Sequence, residues 1–261
     1  MDHREYLGNS LKKIANEKSA IIGRKNLVIC SKQKKHVNDL IKKVSIKKEC
    51  NGYFYNENWS IKNERLIFDD NEIDLSKISL HGIHQYFNAA CAIIASKKIS
   101  GLEVKDSNIY KTLSNIQWKG RLHKLKGKIC LRYPSLDMWV DCAHNSLGFD
   151  SLLMWIKKQK LNDIVIILAL GINKDYKRIL KKLKLINPLM IFFVKETKFN
   201  VQDPKLLKST ADSLNINSQI CSNMFDCLKN SNNLLKRKSN SNVIITGSIY
   251  LVASALLLEK K

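Results

Sequence analysis

No stretch of these 261 residues approaches the roughly 20 consecutive apolar residues that a bilayer-spanning helix needs. The N-terminus shows no charged segment followed by an apolar one, so no secretory signal is legible. The expectation is a cytoplasmic protein with no membrane partner. Cysteines are present but lack pattern: Cys30, Cys50, Cys91, Cys130, Cys142, Cys221 and Cys227 form no C-x-x-C pair. That argues against a zinc site and for scattered, reduced, mostly buried thiols. Glycine is sparse as well. The ten glycines, at positions 8, 23, 52, 82, 101, 120, 127, 148, 171 and 247, include no two that are five apart. The phosphate-cradling loop G-x-x-x-x-G-K-[ST] is therefore absent from this sequence.

Acidic residues are few. Against 45 Lys and Arg stand 23 Asp and Glu, a formal net charge of +22. Such an excess can mark a nucleic-acid surface. However, only seven of the basic residues are arginine, and lysine, asparagine and isoleucine are all abundant. That trio is what an AT-rich coding sequence produces, and the lysines run along the whole chain. No helix-turn-helix pattern or aromatic-basic motif accompanies them. The charge reads mainly as compositional, with a polyanion footprint as the alternative. In either case the field favours anionic ligands.

What is present is globular. A hydrophobic share of 44% excludes disorder, and the length supports one large domain or two modest ones. The first part reads as a helix, a short strand at "NLVICS", a helix around 34–45, and a polar stretch over 56–71 that is an exposed insertion or a small sheet. A long helix follows over about Ile83 to Ser96. After "SNIQWKGRLHKL" short apolar runs alternate with helical stretches: "KICLRYP", "MWVDC", helix 147–158, "DIVIILAL", helix 175–185, "LMIFFV", helix 204–214, "SQIC", helix 224–236, "NVIITG" and helix 249–259. The runs "IVIILAL" and "MIFFV" are continuous, as in strands buried on both faces. This alternation predicts an α/β fold with a mostly parallel sheet between helices. The boundary falls near 117–121, giving segments 1–117 and 118–261.

Two features carry chemistry. At the N-terminus Leu7, Leu11, Ile14 and Lys18 recur at helical spacing, with His3 one turn earlier in the same phase. A lysine in phase with an apolar stripe is either snorkelling or inward-facing with a partner. In the second segment, polar residues collect where strands end: Asp141, His144 and Asn145 after "MWV", Asn173, Lys174 and Asp175 after "IVIILAL", and Gly247 and Ser248 after "VIIT". Asp141, Asn145 and Ser248 could each simply cap a helix. Three strand ends with the same habit point instead to a ligand cleft, because open parallel sheets bind ligands at their carboxyl edge, and helix N-termini there suit anions. Arg121, beside Trp118 and Gly120, is a candidate anion clamp at the domain junction.

The stretches "DHREYLGNSLKKIANEKSAII", "HGIHQYFNAA", "WKGRL", "VDCAHNSLG", "NKD" and "ITGSIYLVA", in this order, resemble the folylpolyglutamate synthase/dihydrofolate synthase family, relatives of the Mur ligases. The resemblance implies a Mur-ligase-type ATPase domain followed by a Rossmann-like domain. It also implies an ATP-dependent ligase that activates a folate carboxylate as an acyl phosphate and joins it to the amino group of glutamate. The cofactors implied are ATP and Mg²⁺. His3 would be a magnesium ligand, and Lys18, carbamylated, would act as a carboxylate near the metal. Asn88, Arg121 and Asp141 would contact ATP, the second domain reaching across a cleft to it. His144 and Ser248 would lie on the glutamate side.

The sequence departs from the family's pattern chiefly in its missing phosphate loop, which in the family precedes the "DH" motif. The expectation is a truncated ATPase domain with exposed sheet edges, inactive alone and paired with a separate N-terminal fragment. Smaller departures are His123 where an acidic residue is usual, "SAII" after Lys18, and Cys142 where glycine is common. Two alternatives stay open: a non-catalytic remnant or binding module, and, less favoured, a basic nucleic-acid binder.

Overall fold

The chain divides into two compact units, Met1–Gln117 and Trp118–Lys261. The computed structural model describes residues 10–195, 200–236, 238 and 241–259. His3 lies outside them.

The first unit opens with helix α1 (Leu11–Ser19), whose N-cap Ser10 accepts a hydrogen bond from the Lys13 amide. Strand β1 (Leu27–Cys30), helix α2 (Lys35–Lys47) and strand β2 (Asn51–Phe54) form a parallel pair joined through a helix, in register from Leu27–Asn51 to Cys30–Phe54. Strands β3 (Trp59–Lys62), β4 (Arg65–Phe68) and β5 (Asn71–Asp74) make an antiparallel meander. Asn63 and Glu64 both take positive φ in the two-residue turn between β3 and β4. Such a backbone follows the right-handed twist of the strands it joins. The polar stretch over 56–71 is thus a small sheet and not an exposed insertion. Trp59, Leu66, Phe68 and Ile73 alternate with less buried neighbours and bury one face against α3 (Ile83–Lys98) and α4 (Asp106–Asn115). Helix α4 is absent from the sequence reading, although Asp106 in its first turn and Ile109 and Leu113 four residues apart are the ordinary marks of a helix docked on a core.

The second unit is the expected α/β layer structure. It comprises β6 (His123–Lys124), α5 (Lys128–Arg132), β7 (Asp137–Asp141), α6 (Ser146–Lys158), β8 (Ile164–Leu168), α7 (Tyr176–Lys184), β9 (Met190–Val194), α8 (Pro204–Ser213), β10 (Ser218–Cys221), α9 (Met224–Leu235), β11 (Asn242–Thr246) and α10 (Ile249–Leu258). The sheet order is β10-β9-β8-β11-β7-β6, and all neighbours are parallel except β6 against β7. Successive residues of a strand face opposite sides of the sheet. Accordingly Val165, Ile167, Val243 and Ile245 pack against α9 and α10, while Ile164, Ile166, Leu168 and Ile244 pack against α6, α7 and α8. Each fully buried Leu, Ile or Phe stabilises the sandwich by about 1.5–3 kcal/mol.

One run is reassigned. "KICLRYP" forms the short helix α5, not a strand. Gly127 has φ +80° and runs so close to Glu259 that a Cβ there would sit 2.4 Å from its carbonyl oxygen. The chain turns sharply into a helix at that point, and β6 already occupies the edge beside β7. Among the described residues no helix is long and apolar enough to cross a membrane. All seven cysteines are free, three buried and four half-buried.

Candidate functional site

In the first unit the helix carrying Lys18 is turned differently from the expected stripe. Ala15 and Ser19 are its buried residues, Leu11 and Ile14 are half-buried, and Lys18 is exposed. The buried face thus runs Ala15, Ser19 and Ile22, one position on from the phase of Leu11, Ile14 and Lys18. An inward-facing lysine is therefore corrected to one whose amine is open to reagents and ligands. Its place in the last turn also suits the negative end of the helix dipole.

Asn88 lies on α3, exposed, with its amide nitrogen donating to Gln85 Oε1 at 3.1 Å. Gln85 is buried, and its own amide nitrogen lies 3.0 Å from His84 Nε2. A glutamine amide donates, so His84 Nε2 is the acceptor in this pair. The chain His84–Gln85–Asn88 fixes how Asn88 presents its carboxamide. The sequence reading passed over Gln85, whose signal is a polar residue set one turn before Asn88 on an otherwise apolar helix face.

In the second unit the motifs "WKGRL" and "VDCAHN" are bonded into one another. Cys142 N–H donates to the Gly120 carbonyl at 2.8 Å. Asp141 then accepts two main-chain N–H groups, Leu122 on Oδ2 and Ala143 on Oδ1, each at 2.9 Å. Two unusual backbone positions make this possible: Gly120 at φ +82° and Leu122 at φ +45°. At Gly120 a Cβ would lie 2.9 Å from Cys142 Sγ, so the close approach itself requires glycine. Asp141 is buried, and burial raises its pKa. The two N–H donors and the charge of Arg121 oppose that rise without cancelling it. Arg121 itself is exposed, its N–H held by the Trp118 carbonyl at 3.1 Å.

His144 is half-buried, with Nδ1 2.9 Å from the Cys142 carbonyl oxygen. A carbonyl only accepts, so Nδ1 carries the proton and Nε2 is the basic nitrogen of the neutral ring. Ser248 is buried and caps α10, accepting the Tyr250 N–H at 3.2 Å. Asn145 caps α6 by accepting Gly148 N–H, and Asp175 caps α7 by accepting Arg178 N–H. The capping account therefore holds for Asn145 and Ser248, and Asp175 is a further cap. Asp141 caps nothing and serves as a clasp between turns.

Thr246 stands in register with Asp141 on one side and Leu168 on the other, so the carboxyl ends of β7, β11 and β8 form one row. Thr246 Oγ1 donates to the Ala143 carbonyl at 3.4 Å, tying β11 to the turn that bears His144. Gly247 has φ +98°, and a Cβ there would meet the Ala169 carbonyl at 2.4 Å. Neither Thr246 nor this glycine was singled out for packing from the sequence; "ITGS" at the junction of a strand and a helix was the available signal. The helices α6 and α10 both begin at this row, so their N-termini give the edge an anion-friendly field.

Among the described residues no three His, Cys, Asp or Glu side chains come together as a metal site.

No family model matches the chain. It is similar to the dihydrofolate synthase/folylpolyglutamate synthase of Bacillus subtilis, with 26% identity over 97% of this chain and 59% of the relative. Among solved structures, the folylpolyglutamate synthase of Mycobacterium tuberculosis complexed with ADP superposes with TM-score 0.83 at 20% identity, over 100% of this chain and 62% of that one. FolC of E. coli in complex with DHPP and ADP superposes with TM-score 0.80 at 18% identity, over 100% of this chain and 59% of that one. The fold is that of the folylpolyglutamate synthases, and the chain spans about three fifths of the length of the proteins it matches.

Proposed function

We propose that these residues form part of an ATP-dependent ligase of folate metabolism, which adds glutamate to dihydrofolate or tetrahydrofolate substrates through an acyl phosphate. The observation that carries the reading is the row of strand ends in the second unit. There "WKGRL", "VDCAHN" and "ITGS" are bonded together by Asp141, Thr246 and two close-packed glycines. Similarity to folylpolyglutamate synthases in both sequence and fold supports it.

In this reaction a substrate carboxylate attacks the terminal phosphorus of ATP and ADP leaves. The glutamate amine then attacks the acyl carbon, phosphate departs, and the amine gives up a proton. His144 is suited to the second step: its Nδ1–H is held by the Cys142 carbonyl, which leaves Nε2 as a proton acceptor on the glutamate side. Ser248 and the N-terminus of α10 offer donors to a glutamate carboxylate. Arg121 and Asn88 serve the nucleotide, Arg121 as a cation for phosphate. Asp141 contributes through the two turns it clasps. Carbamylated Lys18 and His3 would stand beside Mg²⁺, which neutralises phosphate charge when bound; further ligands for it would lie beyond the described residues.

The phosphate loop is not among these 261 residues, so the proposed ligase takes it from polypeptide outside them, such as a separate N-terminal fragment. The test is ATP-dependent ligation of glutamate to tetrahydrofolate, by this chain alone and then mixed with a fragment bearing the loop. Activity only in the mixture is expected. Ligation by the chain alone overturns the need for a partner. Silence in both, with the chain folded, overturns the ligase reading.

A further inference from the structure

Helix α7 carries a stripe of cations that its own fold does not call for. Ile179, Leu180 and Leu183 form its buried face, and Lys177, Arg178, Lys181 and Lys184 are exposed. Lys177, Lys181 and Lys184 are spaced four and three apart, so they share one face over about 10 Å of helix. Elsewhere many lysines meet an acid: Lys42 with Glu57, Lys97 with Asp106, Lys124 with Asp137, Lys208 with Asp212. On α7 the half-buried Lys182 pairs with Asp150 on α6, and the stripe faces away from that pair.

The placement also works against the helix. Lys177 and Arg178 lie in the first turn, which holds no acidic residue, at the positive end of the dipole. Only the cap Asp175 offsets them. Compositional drift accounts for lysines in general, but not for two cations at the unfavourable end of one helix, continuous with Lys181 and Lys184 further along it.

The stripe begins at the carboxyl edge of the sheet. Strand β8 ends beside Gly247, with Ala169 N–H donating to the Thr246 carbonyl at 3.4 Å, and α7 starts a few residues later. It therefore leads away from the edge that holds His144 and Ser248, within the same unit. A γ-linked glutamyl chain presents one free α-carboxylate per residue, a regular anionic ladder.

Resting on the ligase reading above, we propose that the Lys177–Lys181–Lys184 face of α7 binds the γ-glutamyl tail of polyglutamylated folates. Such a surface lets the protein hold longer substrates by their tails while the terminal glutamate is at the reacting edge.

The probe is a fluorescently labelled γ-linked pentaglutamate, titrated into the full chain at low and at physiological salt. Replacing Lys177, Lys181 and Lys184 together by Gln is expected to weaken binding roughly tenfold, since each exposed pair contributes modestly and is screened by salt. The same replacement at Lys35, Lys43 and Lys47, three exposed lysines on α2 of the other unit, is expected to change it less than about twofold. Equal losses from both triples, or no loss from the α7 triple, overturn the proposal. So does tighter binding of a short single-stranded oligonucleotide than of pentaglutamate through the α7 lysines. In the reconstituted ligation assay the α7 triple should raise the ratio of KM for triglutamyl over monoglutamyl substrate. Ligation by the unaltered protein with α7-independent pentaglutamate binding overturns this proposal alone. Absence of ligation with α7-dependent binding overturns the ligase reading alone.

Discussion

Asp141 and Leu122 are joined by a hydrogen bond of 2.9 Å from the Leu122 N–H to the buried carboxylate, and this contact locks "WKGRL" onto "VDCAHN". A buried carboxylate accepting two main-chain donors is hard to replace. In Asp141→Asn one N–H faces an amide NH₂ in place of an oxygen. The expected loss of stability is about 1–3 kcal/mol, read by urea denaturation at neutral pH. The pH dependence has a fixed sign. Burial raises the folded pKa of Asp141 above the ordinary 3.8, so the native state binds the proton more tightly than the unfolded one. Stability from this group is full below about 3.8 and falls as pH rises through the folded value. Asp141→Asn should remove that part of the slope, and an unchanged slope between pH 3.5 and 7 would refute the assignment.

Two glycines separate backbone strain from crowding. Gly101 has φ +82° with open space around it, whereas Gly247 has φ +98° with the Ala169 carbonyl 2.4 Å from where a Cβ would be. Gly101→Ala should therefore cost about 1 kcal/mol, from the left-handed backbone alone. Gly247→Ala must also push apart the ends of β8 and β11, and its expected cost exceeds 3 kcal/mol. Thermal unfolding of the two variants checks this, and equal shifts would show that the close approach at Gly247 is not tight.

The contrast between those glycines shows what was legible in the residues themselves. The parallel sheet was readable because "IVIIL" and "NVIIT" are continuous apolar runs that only a two-sided burial explains. The site's polar residues were readable as strand-end residues. Their roles were not, because Asp141 binds Leu122 nineteen positions away and Thr246 binds Ala143, which is 103 positions away and just past the neighbouring strand. Long-range bonds of that kind leave no local pattern. The phase error at Lys18 has a related cause: Ala15 and Ser19 are small enough to be buried, and a stripe drawn through Leu11 and Ile14 misses them.

Tyr86 gives an alkaline signature for the first unit. Its hydroxyl donates to Glu64 at 2.8 Å, and burial, then this bond to a carboxylate, pushes its pKa up to about 12. The folded value lies above the unfolded one near 10, so the stability from this group is full below pH 10 and is lost as pH rises through 12. Unfolding midpoints measured from pH 9 to 11.5 should fall more steeply for the unaltered protein than for Tyr86→Phe. Parallel curves would mean that the hydroxyl and Glu64 do not meet in solution.

Lys18 is the sharpest test of function against structure. Its side chain is exposed at the end of α1, so Lys18→Ala should leave stability within about 0.5 kcal/mol of the unaltered protein. If Lys18 acts as a carbamate beside the metal, the same variant should lose at least about a hundredfold in reconstituted ligation, the scale expected for removing one charged group that stabilises a transition state. Lys18→Gln, which keeps a polar side chain one atom shorter but cannot form a carbamate, should be as inactive as Lys18→Ala. Raising bicarbonate should increase the activity of the unaltered protein and leave both variants unmoved. An active Lys18→Gln enzyme would remove the lysine from the chemistry.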